Sequence, residues 1–250
     1  MSHARPFSSR QALVTKTQLI MERQWLHATA LSVLLALLVM AMSSDFEGMR
    51  AGMLWGANTV AWFWLAVTIA VVHQVYVWLC WRNQLHGSLL TRILGERAFP
   101  AYALGFSVLG ISRVLVILAL AISNRDTLTG DLTVLRVLAV LALIPALYLF
   151  YSVHRYFGFQ RAFGIDHFDD RYRSLPFVRA GIFRFTRNGM YTCGFLLLWA
   201  IALWYASIAA LCAAIFNHLY VWVHYYSTEL PDMKRLYGEA RATENHQANI

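Results

Sequence analysis

The sequence predicts an all-α, polytopic membrane helix bundle with about six transmembrane helices, a C-terminal helical hairpin and cytoplasmic termini. Three observations predict it. The chain of 250 residues is 59% hydrophobic and only 14% charged, whereas soluble domains carry roughly a quarter charged residues. Its apolar residues fall in runs near the ~20 residues a spanning helix needs. Its basic residues gather in alternate loops between those runs, as the positive-inside rule requires.

The first run extends from about Trp25 to Met42 and the second from Leu54 to Cys80. A third, about Ala101 to Ile122, is expected to start after Pro100. A fourth, about Leu132 to Val153, contains Pro145, which a membrane helix tolerates and which usually kinks it. The last run, Met190 to Tyr226, carries no charge and is too long for one crossing. A break near Tyr205, Ala206 and Ser207 makes it a tight hairpin. Between the second and third runs, GSLLTRILGERAF suits a short amphipathic surface helix.

Charge orients the bundle. Arg5, Arg10, Lys16 and Arg23 precede the first helix; Arg82, Arg92 and Arg97 follow the second; seven arginines lie from Arg155 to Arg187; Lys234, Arg235 and Arg241 follow the last. The other loops hold only Arg50, Arg125 and Arg136. Both termini and the loop from His154 to Gly189 are therefore expected on the cytoplasmic side. The chain divides into a cytoplasmic N-terminal segment (1–24), four transmembrane helices (25–153), and a loop, hairpin and tail that form the site (154–250). No cleavable signal peptide is expected in the polar first 24 residues. The net charge of +8 is spread over short inter-helix segments, which points to anionic lipid headgroups and not to nucleic acid. Cys80, Cys193 and Cys212 have no ligand or disulfide spacing and read as small hydrophobes.

Polar chemistry is concentrated at the two ends of the hairpin. Arg113, well inside the third helix, is expected to face the bundle or to snorkel. The loop packs His154, Asp166, His167, Asp169 and Asp170 beside its arginines. That cluster lacks the spacing of an established metal motif, so no metal is expected. On the last helix, His218, Trp222, Tyr225 and Glu229 are spaced 4, 3 and 4 apart. A regular helix puts them on one face. Aromatic faces beside a carboxylate suit a sulfonium or a quaternary ammonium, though the same stripe also suits a membrane interface.

RNGMYTCG (Arg187 to Gly194), a charge-free hairpin and TELPDMKRLYG (Thr228 to Gly238) together resemble the integral-membrane methyltransferases. These comprise the phospholipid and phosphatidylethanolamine N-methyltransferases and the isoprenylcysteine carboxyl methyltransferases. GIFRFTR (Gly181 to Arg187) is similar to the segment that leads into that pattern, and Tyr156-Phe157-Gly158 to one in the phospholipid branch. Gly189 stands where the family usually has Pro, and Leu230 where many members have a second Glu. The resemblance covers about the last 100 residues. It implies S-adenosylmethionine as cofactor, with Arg184, Arg187, Asn188, Met190, Tyr191, Gly194, Glu229 and Gly158 at the pocket. Glu229, His218 and His154, with His167, are candidate proton acceptors. The implied reaction is methyl transfer to a lipid amine such as a phosphatidylethanolamine headgroup. Carboxyl or thiol methylation of an isoprenoid or other lipophilic molecule is the alternative within the class. A non-catalytic transporter or assembly factor is the alternative outside it.

Overall fold

The structure is a computed structural model, and it describes residues 15–43 and 47–238. The first fourteen residues, with Arg5 and Arg10, and the tail beyond Gly238, with Arg241, lie outside the described residues, as does any reading of a leader. Among the described residues, eleven α-helices form the architecture: α1 (Lys16–Ile20), α2 (Gln24–Ser43), α3 (Thr59–Gly87), α4 (Leu89–Leu94), α5 (Ala98–Ser123), α6 (Leu132–Ser152), α7 (Phe159–Ala162), α8 (Gly189–Thr192), α9 (Leu196–Trp204), α10 (Ile208–His224) and α11 (Leu230–Tyr237). A two-residue hairpin, β1 (Met53–Leu54) with β2 (Ala57–Asn58), precedes α3.

Among the described residues, five stretches are long and apolar enough to cross a membrane: Lys16–Ser43, Thr59–Gly87, Leu89–Ser123, Leu132–Phe157 and Ile208–Tyr237. The remaining apolar stretch, Gly189–Trp204, is shorter. The break of the last run falls where the sequence puts it, with Tyr205–Ser207 between α9 and α10. Two boundaries differ from expectation. Pro100 lies inside the first turn of α5, where its missing N–H has no helical partner to lose. The second helix begins at Thr59, because Asn58 caps it by accepting from Ala61 N at 2.9 Å. Asp131 caps α6 by accepting from Thr133 N and Val134 N, and Ser207 caps α10 by accepting from Ala210 N. Pro145 lies within α6 as expected.

α10 is the central post and packs against α2, α3, α5 and α9. Ala209, Ala210, Ala213 and Ala214 are fully buried on it. Side chains this small let helix backbones approach closely, which is how helices adhere when lipid is as apolar as their own faces. Phe63, Ile117, Leu120, Phe216 and Tyr220 complete that core. Outward-facing leucines, isoleucines and valines of α2, α5 and α6 stay exposed, as lipid-facing positions do.

The bundle has two unlike ends. At the far end, Asn124 ties the hairpin turn to the loop before β1. Its Nδ2 donates to Gly48 O and Ala51 O at 2.7 and 2.8 Å, and its Oδ1 accepts from Ser207 Oγ and Ala209 N. At the polar end, α1, α4, α11 and the segment from Gly158 to Asn188 come together. Two wide helical turns occur there, each closed by a bond five residues long: Val153–Phe157, closed by Gly158 N donating to Val153 O, and Tyr225–Glu229, closed by Leu230 N donating to Tyr225 O. Such turns often mark functional sites in helices.

Candidate functional site

The polar end is fastened by a buried charge cluster. Arg82, from α3, and Asp232, from α11, have fully buried side chains, and Arg82 Nε lies 2.7 Å from Asp232 Oδ1 and 2.9 Å from Oδ2. The same guanidinium donates to the carbonyls of Leu19, Ser227 and Thr228. One side chain thereby joins the N-terminal segment, α3 and the second wide turn. His167 completes the cluster, with Nε2 at 3.6 Å from Asp232 Oδ2 and Nδ1 at 3.0 Å from Asp166 Oδ1. Tyr237 Oη donates to Asp166 Oδ2 at 2.5 Å. The His167 ring stacks on Trp81 with centroids 4.2 Å apart, a cation–π geometry when the ring is charged.

Burial disfavours a charged His167, yet the hydrogen bond to Asp166 and the neighbouring Asp232 carboxylate outweigh it and push the ring up to about 9. Burial likewise works against the charge of Asp166, but its bonds to His167 and Tyr237 hold it below the usual carboxylate range. The folded-state value of His167 lies above its ordinary 6.5, so its stabilising contribution is complete below about 6.5 and is lost as pH rises through about 9. The melting temperature in detergent is expected to fall between about pH 7 and pH 10, and His167→Gln is expected to flatten that fall. An equal fall in both proteins would refute the assignment.

Beside this cluster lies a cavity of about 130 Å³. Arg187, Asn188, Met190 and Tyr191 line it from the start of the hairpin, and Glu229 and Met233 from its end. Trp81, Asp166, His167 and Arg161 close it from α3 and the loop. Asn188 and Glu229, 41 positions apart in the chain, thus face one cavity. Tyr191 Oη donates to Glu229 Oε2, and the Tyr191 ring meets those of Trp222 and Tyr225 edge-on at 5.8 and 5.7 Å. Arg187 Nη1 is buried without a hydrogen-bond partner. An unfilled guanidinium donor, a carboxylate and aromatic faces are a donor set for a zwitterionic, cationic-sulfur ligand.

A second, larger cavity of about 480 Å³ runs into the bundle between α3, α5, α6 and α9. It shares Trp81, Ala162, Met190 and Tyr191 with the first. Its lining is mostly apolar, with His73, Gln74, Ser107, Arg113 and His224 among the polar exceptions.

The structure distributes the expected residues unevenly. Arg187, Asn188, Met190, Tyr191 and Glu229 come together at the first cavity, while Gly194 lines the second. Arg184 is exposed and lines neither. Gly158 has open space where a Cβ would stand; its φ of +87° serves the sharp exit from the first wide turn. His154 is exposed against Phe159. His218 stacks on Phe195 at 5.7 Å and lines neither cavity. The other three residues of that spacing do converge, since Trp222, Tyr225 and Glu229 all meet Tyr191, whereas His218 faces Phe195 and Trp199. His167 is committed to its two carboxylates. Sequence reasoning missed Trp81, Arg82, Asp232 and His224. His224 alone carried a signal, as a histidine at the end of an uncharged helix; both its ring nitrogens are buried without a partner.

Fold and site define an all-α, multi-pass membrane protein whose hairpin ends close a polar cavity over an apolar one. Residues 134–240 match the phospholipid methyltransferase family, PEMT, so the stretch from α6 to the tail carries the signature of a membrane methyltransferase family. No curated protein and no solved structure matches the chain.

Proposed function

We propose that the protein transfers a methyl group from S-adenosylmethionine to a lipid amine, such as an ethanolamine headgroup. The observation that carries this reading is the convergence of Arg187, Asn188, Tyr191 and Glu229 on one cavity that abuts an apolar one at Tyr191 and Met190.

When bound, the cofactor supplies a methyl carbon on cationic sulfur, and attack by an amine nitrogen breaks the carbon–sulfur bond with its electron pair left on sulfur. Arg187 would hold the cofactor carboxylate through its free Nη1, and Glu229 its amino or ribose hydroxyl groups. The Tyr191 and Trp81 rings bound the site where the two cavities meet, and so orient donor against acceptor and exclude water. The nitrogen must give up a proton. His224, with both ring nitrogens unpartnered at the wall of the larger cavity, is a group suited to receive it. Basic residues gathered at the polar end favour its placement on the cytoplasmic side, with the lipid arriving laterally from the bilayer.

Calorimetric titration of the purified, folded chain with S-adenosylhomocysteine tests the cofactor, and saturable binding is expected. Mass spectrometry of lipids from expressing cells tests the acceptor, where mono-, di- or trimethylated ethanolamine lipids are expected. Absence of saturable binding overturns the reading. Intact binding with unmethylated ethanolamine lipids overturns the amine and leaves carboxyl or thiol acceptors.

A further inference from the structure

The larger cavity contains a charge that no described carboxylate neutralises. Arg113 is buried in the middle of α5. Its Nε donates to Asn217 Oδ1 at 2.9 Å, and its Nη1 lies 3.4 Å from His73 Nδ1. Its guanidinium carbon sits 5.2 Å from the centre of the Phe195 ring. Among the described residues no carboxylate pairs with it. Nη2 has no partner. Because a guanidinium only donates, His73 Nδ1 must accept, which leaves the ring proton on Nε2. That Nε2 is also buried without a partner. Two N–H donors, one of them charged, therefore stand unfilled on adjacent side chains of a mostly apolar chamber. A charge desolvated to this degree is normally paired.

We propose that this chamber is the acceptor site and that it takes an apolar amphiphile bearing an anionic oxygen group, received by Arg113 and His73. This names the substrate class of the methyl transfer proposed above and rests on that reading.

The test gives the full chain, in detergent and saturated with S-adenosylmethionine, a homologous series of ω-amino fatty acids. Chain-matched alkylamines and ω-aminoalkyl phosphates run beside them. The wild type is expected to favour the anionic compounds over alkylamines by about tenfold or more in KM. A better phosphate series identifies phosphate as the anion, and a better acid series identifies carboxylate; either supports the proposal. Arg113→Met is expected to abolish the preference, and Arg113→Lys to keep part of it, with S-adenosylhomocysteine binding unchanged as proof of folding. Equal use of alkylamines and anions by the wild type, or the same preference in Arg113→Met, overturns this inference while leaving methyl transfer intact. Failure to methylate any amine, or to bind S-adenosylhomocysteine, is instead a failure of the underlying reading.

Discussion

Asp232→Ala is expected to cost about 3–5 kcal/mol of stability, the range seen when one partner of a buried ion pair is removed. The substitution strands Arg82, whose side chain has no exposed surface, and removes one of the two carboxylates that hold His167. The loss is not confined to that point, because the same guanidinium carries the carbonyls of Leu19, Ser227 and Thr228. Docking of the N-terminal segment and the geometry of the wide turn that ends in Glu229 go with it. Two controls give the claim its sign. Asp169→Ala breaks an ion pair with Arg171, whose side chain is 87% exposed, and should change stability by less than about 1 kcal/mol. Arg82→Met combined with Asp232→Asn should recover part of the loss, since removing both charges ends the desolvation of an unpaired ion. Thermal unfolding in detergent reads all three. An Asp232→Ala protein within about 1 kcal/mol of the wild type would show that the cluster is not what holds the polar end.

Glu229→Ala is expected to weaken S-adenosylhomocysteine binding by about 10- to 150-fold. A hydrogen bond to a charged group contributes roughly 1.5–3 kcal/mol, and every 1.4 kcal/mol is tenfold in affinity. Glu229 differs from Asp232 in having a hydroxyl partner and no cation, since Tyr191 Oη donates to it. Tyr191→Phe should therefore weaken binding less than Glu229→Ala, because it leaves the carboxylate free for the ligand. Asn188→Ala should weaken binding as well. Unchanged affinity in both Glu229→Ala and Asn188→Ala refutes the pocket, provided each variant melts close to the wild type.

Residue patterns that act over long stretches were legible in the sequence. Charge-free length required two crossings between Met190 and Tyr226, and the break at Tyr205–Ser207 follows from it. Return of the chain to one end then brought Asn188 and Glu229 to one cavity. What escaped was local or far-reaching. A wide turn has no residue signature, so the spacing of His218, Trp222, Tyr225 and Glu229 was read with an unbroken helical period. Arg82 and Asp232 are 150 positions apart, and no spacing rule links residues at that distance. His154 was favoured by residue type and Arg184 by the resemblance, both in a dense loop where exposed and lining positions alternate without a readable period. Arg113 was legible as an anomaly because a charge inside an apolar run is costly wherever it lies.

The brevity of Gly189–Trp204 has a mechanical result. Sixteen residues reach roughly 24 Å at ~1.5 Å each, against a hydrocarbon layer of about 30 Å. Its far tip is pinned by the Asn124 amide, so the shortfall must be absorbed at the other extremity. There the bilayer thins around α8, or the mouth between the chambers sinks beneath the glycerol level. Either way, a molecule dissolved among the acyl tails meets the threshold sideways, without climbing into water.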